Sequence, residues 1–111
     1  MQIVISHAFT RDEDAAQRYV QVSESFHPFL QAQPGFVSRT LVQDVDDPTH
    51  LINLRVFDSV SSYEAMTQIP EYKQHIDELS ALVDVARYKD GYARQYTDIM
   101  TTTVPTWRSI S

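Results

Sequence analysis

The stretch Gln33–Tyr63, QPGFVSRTLVQDVDDPTHLINLRVFDSVSSY, leaves a chain of this kind few ways to fold. Pro34 presets φ at the first inner position of a turn, and Gly35 accepts the positive φ that a type II turn needs at the next. The chain holds only two glycines, so one placed here marks a demanding backbone position. Strand-forming residues then run from Phe36 to Val45, Asp46-Asp47-Pro48-Thr49 makes a hairpin connection, and His50 to Asp58 form the next strand. Ser61 and Glu64 read as a capping box, which predicts a helix starting near Ser59–Ser61.

The flanks complete the order. QIVISHAF, residues 2 to 9, is β-branched with period-two texture and reads as a first strand. Thr10 and Glu13 have capping-box spacing, and Ala15, Ala16, Tyr19, Val22, Phe26, Phe29 and Leu30 recur at helical spacing behind them. Pro70 interrupts the second helix and suits the first turn of a new one. Tyr72, Ile76, Leu79, Leu82, Val83 and Ala86 carry its apolar stripe. Gly91 closes that segment, and residues 92 to 101 read as a last strand with Arg94, Tyr96, Asp98 and Met100 on one face. The order is β-α-β-β-α-β, an α+β ferredoxin-like arrangement with an antiparallel sheet and helices on one face. Residues 1–100 form one domain on this reading. The tail 101–111, TTTVPTWRSIS, is expected to pack on a partner subunit through Trp107.

Several function classes drop out. The 111 residues suit one domain, and oligomerisation is a natural way for a small domain to bury more surface. There is no cysteine, so disulfides and thiolate metal sites are unavailable. The four histidines show neither H-x-x-x-H nor H-x-H spacing, and no metal site is expected. A net charge of −6 without a basic cluster argues against nucleic-acid binding. No run of about 18 apolar residues predicts a membrane span. MQIVISHAF lacks a basic leader and a small-residue cleavage site, so a cytoplasmic protein is expected. Neither a G-x-G-x-x-G loop nor a phosphate-binding loop is present, which leaves no nucleotide-cofactor signature.

Alternation along the third strand divides it into two faces: Ile52, Leu54 and Val56 on one, Leu51, Asn53, Arg55 and Phe57 on the other. The aliphatic face is expected to pack on the helices. The mixed face, with Ile3, Ile5, His7 and Phe9 from the first strand, is expected to be the open one and to meet a second subunit. A pocket lined by Asn53, Arg55 and His7 would then lie between two sheets. His7 is a candidate general base, since imidazole titrates near neutrality.

QPGF (33 to 36), the Asp-Asp-Pro loop, INLRVFDS (52 to 59) and SSYEAM (61 to 66) resemble the antibiotic biosynthesis monooxygenase family of dimeric α+β barrel proteins over about residues 1 to 100. The family pattern is a Pro-Gly-Phe turn, a strand ending in Trp-x-Ser, and a helix with Glu-Ala. Phe57 stands here in the Trp position, keeping an aromatic wall without the indole N–H. Members that form polyketide quinones oxidise phenols with O2 and no metal or flavin. They carry an Asn four residues before the Trp and a Tyr six after it, positions that Asn53 and Tyr63 occupy. The resemblance implies that Asn53 stabilises an enolate-like charge and Tyr63 donates or relays a proton.

These readings converge on a cofactor-independent monooxygenase acting on an aromatic or quinol-like small molecule, built as a homodimer through the open sheet face. Asn53, Tyr63 and His7 are the expected catalytic residues, and Arg55, Phe57, Phe9 and Leu51 the expected substrate contacts. One alternative is a non-catalytic dimeric binding or structural domain of the same fold, with a filled interior. Another is a haem-binding or haem-degrading protein. Such members carry an Asn near the end of strand one and a His on the second helix, where this chain has His7 and Thr67, with His75 two turns beyond.

Overall fold

The computed structural model describes residues 1–84 and 93–101. Strand β1 (Gln2–Phe9) leads into helix α1 (Glu13–Ser25) and the short α2 (His27–Gln31). Strands β2 (Phe36–Gln43) and β3 (His50–Phe57) form a hairpin, and α3 (Val60–Thr67) and α4 (Pro70–Ser80) precede β4 (Ala93–Thr97). All strand pairs are antiparallel, in the order β2-β3-β1-β4, the ferredoxin-like α+β arrangement that the sequence predicts. The expectations for Ala86, Gly91 and Trp107 lie outside the described residues.

The turn at Gln33–Phe36 forms as predicted. The Phe36 amide donates to the Gln33 carbonyl at 3.3 Å, and Gly35 has φ of 80°. The Gly35 carbonyl in turn accepts from the Asp58 amide at 2.8 Å, which ties the turn to the end of β3. Both helix starts fall elsewhere than the capping boxes suggest. Asp12, not Thr10, caps α1, its carboxylate accepting from the Ala15 amide at 2.8 Å. Thr10 is drawn into the sheet margin instead, bridging to Val83 and donating its hydroxyl to the Thr49 carbonyl. Ser59, not Ser61, caps α3 by accepting from the Ser62 amide. In each case a second side chain of the cap-forming type lay within two residues and reached the first-turn amide in better register.

The two faces of β3 are the reverse of the sequence expectation. Leu51, Asn53, Arg55 and Phe57 are the buried residues, facing the helices, while Ile52, Leu54 and Val56 are half-buried on the open side. On β1, Ile3, Ile5, His7 and Phe9 do lie on the open side, and Gln2, Val4 and Ala8 point inward. The register explains the reversal: Val4 pairs with Arg55, Ser6 with Asn53 and Ala8 with Leu51, and directly paired residues share a face. Both sheet faces carry apolar side chains, so the apolar content of β3 alone does not say which side the helices cover.

Two apolar clusters join sheet and helices. Ala8, Ala16, Tyr19, Val22, Leu51, Leu79 and Val83 form one. Val4, Leu30, Phe57, Tyr63, Met66 and Tyr72 form the other. Phe57, Leu30, Leu51, Met66 and Val4 are almost wholly removed from solvent. Burial of each such side chain is worth about 1.5–3 kcal/mol.

A Cβ at position 35 would collide with the Asp58 carboxylate and the Ser62 side chain, and the positive φ is itself unfavourable for an L side chain. Gly35→Ala is therefore expected to lower stability by more than about 1 kcal/mol in urea titrations.

Candidate functional site

Between the helix-facing side of the sheet and the helices lies a cavity of about 200 Å³. Its floor is polar: Ser6 from β1, with Asn53 and Arg55 from β3. Its walls and roof are Tyr19, Phe26, Leu30, Tyr72, His75, Ile76, Leu79, Ser80 and Val83. The inward face of β3 thus supplies the two polar groups singled out in the sequence, but to an intramolecular cavity and not to the space between two sheets.

Arg55 is 5% exposed and is held by neutral groups alone. One terminal nitrogen donates to the Tyr72 hydroxyl at 3.1 Å, the other to the Ser6 hydroxyl at 2.8 Å. Its buried Nε has no hydrogen-bond partner among the described residues, and neither does the buried Oδ1 of Asn53, which is 6% exposed. Arg39 stands opposite Arg55 in the β2–β3 ladder and donates to the Ser23 carbonyl at 2.7 Å. Its pKa is lowered, first by burial and then by repulsion from Arg55. Neither guanidinium forms an ion pair with a carboxylate among the described residues.

His75 enters the cavity from α4, its ring stacked on Phe26 with centroids 3.7 Å apart and planes 4° from parallel. Burial, then repulsion from Arg39 and Arg55, pulls its pKa down to about 4, so near neutral pH it is an uncharged imidazole. Tyr19 is shifted up, chiefly by burial. Tyr63 is pushed up to about 12 by burial first and then by the negative charge that Tyr72 would carry, with a hydrogen bond to Tyr72 adding to the shift. Arg55, which has only donors, occupies an acceptor position on the Tyr72 oxygen, so the Tyr72 proton points elsewhere.

The sequence-predicted residues divide accordingly. Asn53 and Arg55 line the cavity. Tyr63 sits behind Tyr72, its ring edge-on to Phe57 at 5.3 Å. Phe57 and Leu51 belong to the packed clusters and do not reach the cavity lining. His7 and Phe9 are on the opposite side of the sheet, so the grouping of His7 with Asn53 and Arg55 does not form within one subunit. There His7 Nδ1 is 3.1 Å from His50 Nε2, His50 is 3.3 Å from Asp44, and Phe9 stacks on His50 at 4.2 Å. Sequence reasoning missed Ser6 and Tyr19 as site residues, placed Tyr72 only in an apolar stripe, and named His75 only in the haem alternative. The available signal was that Tyr72, His75, Ile76 and Leu79 share one helical stripe, which puts the two polar residues on the inward side.

Among the described residues there is no cluster of metal-ligating side chains, and no helix is long and apolar enough to cross a membrane. The fold and the cavity define an α+β ferredoxin-like domain with a small-molecule-sized chamber under its helices. The sequence pattern of the family described as antibiotic biosynthesis monooxygenase matches residues 2–78, and the chain belongs to that family.

The fold is shared with solved structures of low sequence identity. A single-site variant of SnoaB, a cofactor-independent oxygenase from Streptomyces nogalater, superposes with a TM-score of 0.77 at 19% identity, covering 90% of this chain and 94% of that one. A protein from Deinococcus radiodurans, described as a candidate antibiotic biosynthesis monooxygenase, gives 0.76 at 17% identity, covering 95% and 99%. A conserved protein from Methanosarcina mazei Go1 gives 0.73 at 16% identity, covering 86% and 89%. No curated protein sequence matches the chain significantly.

The sign of the His75 shift has a consequence for stability. With its pKa depressed on folding, the unfolded chain binds the extra proton between pH 6.5 and about 4, so His75 costs stability as pH falls through that window. In denaturant titrations across this range, His75→Gln is expected to lose less stability on acidification than the parent.

Proposed function

We propose that this protein is a cofactor-independent monooxygenase that oxidises an aromatic or quinol-like small molecule with O2 in the cavity above Asn53 and Arg55. The observation that carries the reading is the polar floor itself. A buried Asn with an unpartnered oxygen and a buried cation without a counter-ion are costly in a chamber that holds nothing. The cation is useful in one that stabilises negative charge, and the Asn53 oxygen in one whose ligand brings a hydroxyl donor to it. Family membership supports the reading, as does the cavity, since a purely structural domain has no need of one.

On this reading the neutral imidazole of His75, in place of the His7 expected from sequence, takes a proton from the bound phenol or from the carbon activated by it. The substrate anion then lies beside Arg55, with Asn53 and the Tyr72 hydroxyl as further hydrogen-bonding groups. The two guanidiniums that disfavour a proton on His75 also favour the substrate anion. The carbanion form of the substrate supplies the electrons to O2. For a ring methylene the balance is CH2 + O2 → C=O + H2O, with one oxygen retained as the new carbonyl and the other leaving as water. Tyr63 holds the Tyr72 hydroxyl in place, and Phe57 backs Tyr63. Oxygen-electrode assays over a panel of quinol- and anthrone-type substrates that includes single-ring hydroxybenzoates test the proposal. Uptake is expected to fall about 10²–10³-fold in Asn53→Ala, the loss typical of removing one oxyanion donor. No uptake across the panel, or uptake unchanged in Asn53→Ala, would overturn it.

The subunit is further proposed to act as a homodimer through the open sheet face. Ile3, Ile5, Ile52, Leu54 and Val56 form a continuous half-buried apolar surface there, which a second copy would cover. Leu54→Lys is expected to shift sedimentation from a dimer to a monomer; a parent protein that already sediments as a monomer would refute the assembly.

A further inference from the structure

We infer that the substrate of this cavity carries a carboxylate on a small, single-ring framework, and that Arg55 recognises that carboxylate. The inference rests on reading the cavity as the substrate site and goes further by assigning the charge and size of what enters it. Four observations converge.

Arg55 has five N–H donors in principle and uses two on hydroxyls, leaving the rest without a protein acceptor among the described residues. A hydroxyl does not neutralise a guanidinium, and a buried cation without a counter-charge is expensive. Arg39 lies across the ladder with the same sign and sharpens the deficit. This positive floor sits in a chain whose net charge is −6, yet no carboxylate among the described residues forms an ion pair with Arg55. Asp44 accepts from His50 and the Asp46 amide, Asp58 from Ser59 and Ser62, and Asp98 pairs with the amino terminus. The missing negative charge is therefore left for a ligand. Among biological anions, a planar carboxylate matches the guanidinium plane and leaves an acceptor for the Tyr72 hydroxyl.

Size narrows the framework. An apolar cavity of about 150 Å³ takes one benzene ring, and this one has about 200 Å³ with Phe26, Leu30, Ile76 and Leu79 around it. That suits one ring with small substituents. A fused polycycle would have to displace the Phe26–His75 stack, whose planes are already in van der Waals contact.

Isothermal titration calorimetry with benzoate, its neutral isostere benzamide, and anthracene-2-carboxylate tests the assignment on the unaltered protein. Benzoate is expected to bind at least about tenfold more tightly than benzamide, the scale of one hydrogen bond to a charged group. The three-ring acid is expected not to bind. In Arg55→Gln the preference for benzoate over benzamide should vanish while binding of benzamide persists. Equal affinity for benzoate and benzamide, tighter binding of the three-ring acid, or a preference retained in Arg55→Gln would overturn the inference. The parent comparison needs no variant and decides the charge assignment even if Arg55→Gln fails to fold. Benzoate selectivity without oxygen uptake on any substrate would leave this inference standing and remove the monooxygenase reading. Uptake with neutral quinols but no benzoate preference would do the reverse.

Discussion

The pairing of β1 with β3 is the interaction on which the rest of the molecule depends. These are the two inner strands of the sheet, and their register, Val4 to Arg55 and Ser6 to Asn53, sets which side chains meet the helices. A slip of one residue would send Arg55 and Asn53 to the open side and bring Ile52, Leu54 and Val56 inward. The fold would survive such a slip as a pattern, because both sets contain enough apolar surface to be covered. The chamber would not, because its polar floor consists of Ser6, Asn53 and Arg55. The turn at Gly35, bonded to the Asp58 amide, holds the outer hairpin against that same register.

Electrostatics in the chamber follow from this one placement. Burial of the His75 ring, and then the nearby charges of Arg39 and Arg55, lower its pKa and leave an imidazole that is neutral where a solvent-exposed one would be partly charged. The same cations are what a developing substrate anion would meet. Packing and polarity are linked here: Tyr63 and Tyr72 share the apolar cluster with Phe57, and the Tyr72 hydroxyl accepts from Arg55 at the cavity floor. The aromatic at position 57 stands behind the cavity lining, within the packed cluster.

Much of the fold was legible because its signals are local. Pro34-Gly35, the Asp-Asp-Pro hairpin, Pro70 at the first turn of α4, and the alternation in β1 each act through the φ/ψ preferences of a few neighbouring residues. The caps were legible in kind but not in position. Thr10 and Ser61 had the right spacing to Glu13 and Glu64, yet Thr10 found better partners in Thr49 and Val83, which only the folded sheet brings near. The candidate site was half legible. Asn53 and Arg55 stood out as polar groups in an apolar strand, whereas His75 and Tyr72 looked like ordinary members of a helical stripe.

By itself the sequence determined the element order, the turn chemistry, the family and the two residues worth watching on β3, since each is written in contiguous residues. Only the tertiary structure decided which side of the sheet those residues face, that His7 is excluded from their company, and that His75 lines the same cavity. The reason is physical. Alternation specifies two faces but not which of them the helices cover when both are apolar, and that choice is made by long-range pairing between strands more than forty residues apart. The unpaired charge of Arg55 became visible only then, because a cation is costly according to what surrounds it, and its surroundings come from β1, β2 and α4 together.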